Sequence, residues 1–402
     1  MPPMTRLSYN DYTVGWICAL PLEMAAAKVM MDEIHEDLPV PPNDHNTYIL
    51  GKIRDHNVVI ACLPTAQYGI VSAATVAMQL LSSFHSIRFG LMVGIGGGVP
   101  NENADIRLGD IVVSNPRETH GGVVQYNYGK AMSDDYFQRT GILSPPPGVI
   151  LTALSKLQAN HFTGESQFMD FLSEITHKIP QEASSTFARP TQEDYLYCAD
   201  YNHVNRKIKT CHDCDKARTV RRSPRKHNKP VIHYGLIASG DQLVKDSQLR
   251  DKLGQELGVY CVEMEAAGLM NNYPCLIVRG ISDYADSHKN DQWQGYAAAV
   301  AAAYAKELLS VTPISYLDHT RTVHDTVSDF DRKQKTHPAS MKNKYNVGGN
   351  SSKVEELSQE LSVLFQILEF FQTSFPNPDA DFEAAAISRS TMQLLRNRYM
   401  RL

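Results

Sequence analysis

Residues Cys261–His288 read C-V-E-M-E-A-A-G-L-M-N-N-Y-P-C-L-I-V-R-G-I-S-D-Y-A-D-S-H, and this pattern decides the fold class. The segment opens as a turn of helix, crosses a short loop, enters a buried strand and leaves it in a polar loop. Cys275-Leu-Ile-Val is apolar and β-rich, as in a strand covered on both faces. Glu263 and Glu265 precede that strand, and Asp283 and Asp286 follow it. Ligands of open α/β sheets bind outside the carboxyl ends of the strands. The acids after Arg279-Gly-Ile-Ser282 therefore stand where chemistry is expected, and the segment should supply half of a small-molecule site.

Working outward, residues 12–22 read as a first buried strand that turns at Pro21 into a helix of strong formers, Glu23-Met-Ala-Ala-Ala. Glu23 has two readings: a first-turn acid complementing the helix dipole, or a carboxylate delivered to the site. Tyr48–Ile53 and Val58–Leu63 read as a hairpin turning at residues 55–57. Arg88–Gly94 is another strand, followed by the glycine-rich loop Gly94-Ile-Gly-Gly-Gly-Val-Pro100. Such a loop lets backbone approach a ligand closely, at Gly96 and Gly97 here, or it is simply a tight turn. No Lys-Ser/Thr follows and no clear helix opens, which argues against both a P-loop and a dinucleotide fingerprint. Leu108–Ser114 and Val231–Ser239 are further strands, the second ending in the loop Gly240–Asp246. Ala-rich residues 293–309 should form a closing helix.

Residues 131–230 are less regular. Helices are expected at 149–159 and 168–177, and the polar, Pro-punctuated stretch 181–230 reads as an insertion. Within it Cys211-x-x-Cys214 is half of a zinc-site pattern, which His203 and Cys198 (or His227) would have to complete; the alternative is a loop with free thiols. Residues 206–229 are also basic, either a solvated loop or a holder of substrate phosphates. From about Pro313 the composition turns polar, and 313–350 read as a linker. Over 351–402 a helical tail is expected. Its seam Val354, Leu357, Leu361, Leu364, Leu368 and Phe371 alternates spacings of three and four, so 351–374 should pair with its own domain, a second copy or another protein.

The 402-residue chain is 43% hydrophobic and 21% charged with net charge −5, an ordinary balance for an enzyme and a poor one for a nucleic-acid binder. Seven scattered cysteines point to reduced thiols rather than a disulfide framework. The N-terminus lacks a signal-peptide core and no stretch reaches membrane-span length, so a cytoplasmic location without membrane contact is expected.

Six stretches taken in order, G-W-I-C-A-L-P-L-E, V-G-I-G-G-G-V-P, I-R-L-G-D-I-V-V-S, G-L-I-A-S-G-D, V-E-M-E-A-A-G and R-G-I-S-D-Y-A-D, resemble the purine nucleoside phosphorylase/uridine phosphorylase superfamily. They are most similar to methylthioadenosine/S-adenosylhomocysteine nucleosidases, and the fuller wording resembles the nucleosidase-type domains of fungal multidomain proteins. The resemblance covers about residues 10–310, with 131–230 poorly matched, and sets a domain at 10–312. It implies an α/β, three-layer α/β/α fold around a mixed, partly barrelled sheet, no cofactor, and oligomers that complete one another's pockets. It also implies roles: Asp283 as the acid at purine N7, Ser282 orienting it, Glu265 beside Met264 on the ribose hydroxyls, and Glu23 activating water. Gly240, Asp241 and Leu243 fall where the base pocket closes; Glu263 and Arg279 complete the set of candidate substrate-binding residues without a firm role.

The chemistry agrees independently. Breaking an N-glycosidic bond passes through an oxocarbenium-like ribose, which calls for an acid at the base, a carboxylate near the sugar and a nucleophile opposite. Phosphorylases of the superfamily hold phosphate with arginines and a hydroxyl; here Glu23, Met92 and Ile95 occupy those places. A carboxylate repels a phosphate dianion. The expected activity is therefore hydrolysis of an adenosine-like nucleoside or an adenine nucleotide such as ATP. Its alternatives are a phosphate-dependent purine nucleoside phosphorylase and a non-catalytic nucleoside sensor whose tail helix recruits a partner.

Overall fold

The computed structural model describes residues 4–39, 41–133, 137–205, 210–314 and 322–323. The expected linker lies outside these residues except at 313–314 and 322–323, and the expected helical tail lies wholly outside them.

Strand β1 (Val14–Cys18) is buried at every position and hands over to α1 (Pro21–Met30). Pro21 sits at the first helical position, where its missing N–H costs nothing. β2 (Glu33–Ile34), β3 (Tyr48–Ile53) and β4 (His56–Cys62) follow. The β3–β4 hairpin turns at Arg54 and Asp55, with Arg54 at φ 53°, a residue earlier than the sequence reading. Helix α2 (Ile70–Ser83) leads into β5 (Phe89–Gly98). Next come β6 (Ile111–Ser114), β7 (Val123–Gln125), and the small pair β8 (Gly129–Ala131) and β9 (Phe137–Arg139). Helices α3 (Gly148–Thr163), α4 (Phe168–Lys178) and the single turn α5 (Gln181–Ser184) precede β10 (Ile232–Ser239). The chain then forms α6 (Ser247–Leu257), β11 (Val259–Glu263), β12 (Cys275–Asp283) and α7 (Gln294–Val311).

The sheet runs β11-β10-β6-β12-β5-β1-β4-β3-β2, with β7 on β10. β11 also pairs antiparallel with β5, so β11, β10, β6, β12 and β5 curl into a closed ring while the rest extend as an open wing. The sheet is mixed, since β12 runs parallel to β5 and antiparallel to β6. Apolar faces of α1, α3, α4 and α7 share one core with one side of the sheet, and α2 shares a second core with the other. This is the expected three-layer α/β/α fold with a partly barrelled sheet. Helices α3 and α4 contribute Leu154, Phe168 and Phe171 to the first core, so residues 148–178 of this region belong to the domain's regular structure.

Three local readings change. Gly94–Gly98 is not a loop: β5 continues through it, held parallel by β12 and antiparallel by β11. Cys261–Glu263 is the end of a strand rather than a turn of helix; the helical turn comes later, as a 3-10 segment at Ala266–Gly268. The strand after it runs on to Asp283. Residues 247–257, unassigned in sequence, form α6, capped by the Asp246 carboxylate and closed by Gly258 at φ 64°.

Candidate active site

The carboxyl ends of β1, β5, β11 and β12 open into one cavity of ≈ 1200 Å³. Its floor is a buried charge cluster. Glu23, at the third position of α1, is 3% exposed. Its Oε2 accepts from the backbone N–H groups of Ala19 (2.7 Å) and Leu20 (2.9 Å), and Oε1 accepts from Ile95 N–H (2.8 Å). Both readings of Glu23 thus hold geometrically, because it caps its own helix and faces the cavity. Burial pushes its carboxyl above the usual range, while the Arg279 guanidinium and these three donors pull it back.

Arg279, in the middle of β12, is 1% exposed and pairs with Glu263 and, at 3.3 Å, with Glu265. Its Nη1 also donates to Ile95 O at 3.3 Å. Enclosed among three acids, it is held strongly protonated. Glu263 accepts from the N–H groups of Glu265 (3.1 Å) and Ala266 (3.0 Å), which shapes the turn that presents Glu265. Glu265 accepts from Gly69 N–H at 3.3 Å. Burial, and then the negative Glu263 and Glu23, push the Glu265 carboxyl up to about 7 against the pull of Arg279.

The cluster needs glycine in β5. A Cβ on Gly94 would lie 2.4 Å from Glu23 Oε1 and 2.7 Å from Arg279 Nη1, and a Cβ on Gly97 would lie 3.0 Å from Asp283 Oδ1. The glycine run therefore lets side chains approach the strand closely.

Asp283 closes β12, where the register against β5 slips between Ile281 and Asp283 and leaves Ser282 as the extra residue. The Asp283 carboxylate accepts from Ser282 Oγ (2.8 Å), Lys289 Nζ (2.8 Å) and Ala285 N–H (2.9 Å). Ser282 Oγ also lies 3.4 Å from the carbonyl of Gly96. Asp286 points elsewhere, toward Arg250, in a structural pairing.

The structure brings Glu23, Gly96, Gly97, Glu263, Met264, Glu265, Arg279, Ser282 and Asp283 to one cavity. Leu243 joins them at the rim, 53% exposed. Asp241 does not line it; its Oδ1 accepts from Ile70 N–H and secures the start of α2. Met92 is wholly buried in the second core.

Lys289 escaped the sequence reading, although it directly follows the quoted segment. No periodicity marks a loop lysine that folds back six residues to meet an aspartate. The insertion also does more than expected: Asp200, Asn202 and His203 form part of the cavity wall. Three of its arginines, by contrast, are occupied by acids. Arg222 pairs with Asp194 and Asp105, Arg225 with Asp110, and Arg218 with Asp200, which leaves the cavity lining to Lys245 and Lys289 beside Arg279. Of the four metal candidates, His203, Cys211 and Cys214 gather, whereas Cys198 stands apart beside Arg218, whose carbonyl accepts from its N–H.

A mixed sheet closed over five strands, with buried acids where its strands end in a single cavity, defines the chain as an α/β ligand-binding protein of nucleoside phosphorylase type. A model of the phosphorylase superfamily matches residues 13–311, and the chain belongs to that superfamily. A nucleotide-binding leucine-rich repeat (NLR)-like protein of Hyaloscypha variabilis is 45% identical over 80% of this chain and 31% of its own length. The chain thus spans about a third of that relative. A 5′-methylthioadenosine/S-adenosylhomocysteine nucleosidase of Mycobacterium bovis is 26% identical over 75% of this chain and 97% of its own. The ATP nucleosidase Cap17 of Escherichia coli is 25% identical over 73% of this chain and 50% of its own. Among the described residues no helix is long and apolar enough to cross a membrane.

Proposed function

We propose that this chain hydrolyses the N-glycosidic bond of an adenosine-like purine nucleoside, releasing the base and the ribose moiety. The observation that carries this reading is the floor of the cavity, where Glu23, Glu263 and Glu265 surround a single guanidinium. Three carboxylates against one cation make a site that stabilises a positively charged ribose and repels a phosphate dianion. Water is then the nucleophile, with Glu23 taking its proton; burial, which raises the Glu23 carboxyl, suits it to that role. Glu265 accepts the ribose hydroxyls, and Arg279 is a positioning residue that holds the acids apart. Asp283 protonates or hydrogen-bonds purine N7, with Ser282 and Lys289 fixing its orientation. The nucleosidase names of the mycobacterial and E. coli relatives support this reading.

A second reading, an adenine nucleotide as substrate, is favoured by the size of the cavity. Its ≈ 1200 Å³ exceeds the roughly 300–1,000 Å³ of ordinary ligand pockets, and Lys245 on its rim offers a charge to a phosphate tail.

The test is to incubate the full chain with adenosine, guanosine, inosine, uridine and ATP, each with and without phosphate, and to follow free base by chromatography. Base release from adenosine or ATP without phosphate is expected. A strict requirement for phosphate would falsify hydrolysis, and no release from any substrate would leave a binding role.

The Glu265 carboxyl sets a pH dependence. Raised to about 7 in the folded chain, it lies above the ordinary glutamate value of 4.5, so between these values the folded chain keeps a proton that the unfolded chain has lost. Its contribution to stability therefore declines as pH rises through that window. Ribose binding by the carboxylate runs the other way. Affinity for a non-hydrolysable adenosine analogue, measured calorimetrically, should rise as pH climbs through about 7. The rise should vanish for the 2′,3′-dideoxy analogue, and equal pH profiles for the two would remove Glu265 from the ribose.

A further inference from the structure

We infer that the chain holds a zinc-class divalent ion on His203, Cys211 and Cys214, with His288 as the fourth ligand, beside the cavity rather than in it. One donor atom from each of His203, Cys211 and Cys214 lies within 4.8 Å of the other two. Zinc bonds of about 2.0–2.3 Å in a tetrahedron place donors about 3.5 Å apart, so small side-chain rotations close these three around an ion, and His288 turns in from outside that spacing to complete the set. Two thiols and imidazole nitrogen are a soft donor set that selects zinc over magnesium or calcium.

The histidines carry the independent observations. His203 Nε2–H donates to Thr210 O at 3.1 Å, which leaves the lone pair on Nδ1. This is the outer-shell arrangement that orients a metal-bound imidazole. The Asn205 N–H, 3.2 Å from Nδ1, is the contact that the ion replaces. His288 is 6% exposed, and neither of its ring nitrogens has a hydrogen-bond partner, the nearest carboxylate, Asp286 Oδ1, lying 3.8 Å from Nδ1. Two unsatisfied ring nitrogens at such depth are costly in a core and expected at a metal ligand. Its ring lies 5.5 Å from that of His203, and it shares a small cavity of ≈ 30 Å³ with Cys211. Tyr197 stacks on the His288 ring at 3.9 Å and fixes its plane. Cys211 Sγ already lies 3.8 Å from the His288 carbonyl.

On binding, each thiol gives its proton to solvent and its sulfur forms a bond to the ion. The ion fastens the insertion to the loop that follows Asp283. His203 N–H donates to Ser287 Oγ at 3.0 Å, and Lys289, one residue beyond His288, grips Asp283. The metal is thus structural, and it builds the wall that carries Asp200 and Asn202.

The chain purified without chelators should contain about one zinc per chain by mass spectrometry. X-ray absorption should show two sulfur and two nitrogen ligands, and protein stripped and reloaded with cobalt(II) should show thiolate charge-transfer bands with tetrahedral intensity. Cys211→Ser and Cys214→Ser should lose the metal, and Cys198→Ser should keep it. Absence of zinc together with absence of a cobalt–thiolate band overturns the site, as does full zinc in Cys211→Ser. A shell with one nitrogen and one oxygen removes His288 from the set. The absorption and cobalt measurements need no variant, so a variant that fails to fold does not decide the matter.

Discussion

Asp283→Asn is expected to slow base release by about 10²–10⁴-fold, the range that a positioned general acid contributes. The substitution keeps the shape at the end of β12 but removes the atom that can carry a proton to the leaving base. Three donors converge on this carboxylate, from Ser282, Ala285 and Lys289, so its position is set by its surroundings and not by the substrate. The loss should therefore fall on kcat, with KM nearly unchanged, since in the proposed mechanism the ribose is held from Glu265. Circular dichroism would establish that the variant is folded, and single-turnover base release by chromatography would give the rate. Activity within about tenfold of the wild type would remove Asp283 from the chemistry.

Arg279→Met should be the most damaging change to stability, at about 3–5 kcal/mol, the cost of leaving buried charges without their partner. Methionine fills much of the space but returns no charge to Glu263 and Glu265, which are 4% and 5% exposed. The pH dependence distinguishes this cause from simple mispacking. Without the guanidinium, which pulls them down, the buried Glu23 and Glu265 carboxyls retain protons to higher pH than in the unfolded chain. The variant's stability should then be greatest at low pH and fall as pH rises from about 5 to about 8. Denaturant unfolding at several pH values measures it, and a deficit that does not change with pH would assign the loss to packing alone.

Much of this site is legible in the chain because strands deliver their last residues to one place. The apolar run Cys275–Val278 announced a buried strand, and the acid at its end, Asp283, faces the cavity. Glu23 could be located because Pro21 and a run of helix formers mark the strand-to-helix junction. Gly94–Gly98 misled for a physical reason. Glycine has weak strand propensity, and only pairing with β11 and β12, distant in sequence, holds the run extended. Asp241 sits at the end of β10 as a base-pocket residue would, yet its carboxylate serves the Ile70 N–H, a partner more than 150 residues earlier in the chain. The Lys289–Asp283 pair and the gathering of His203 with Cys211 and Cys214 depend on how irregular loops fold back. Neither period nor composition records that.

The extension of β5 through its glycines divides the site into two parts with different freedom to vary. Glu263 and Asp283 stand at the ends of paired strands, and Glu23 and Glu265 are fixed beside them by backbone N–H donors, so a change of one atom is felt by the whole cluster. The opposite rim is built from Tyr68, residues 199–203 and residues 242–248, which lie outside the strands. On the proposed activity, substitutions there retune which molecule enters without disturbing the bond-breaking groups, and substrate choice and catalytic power become separately adjustable properties, assigned to different stretches of sequence.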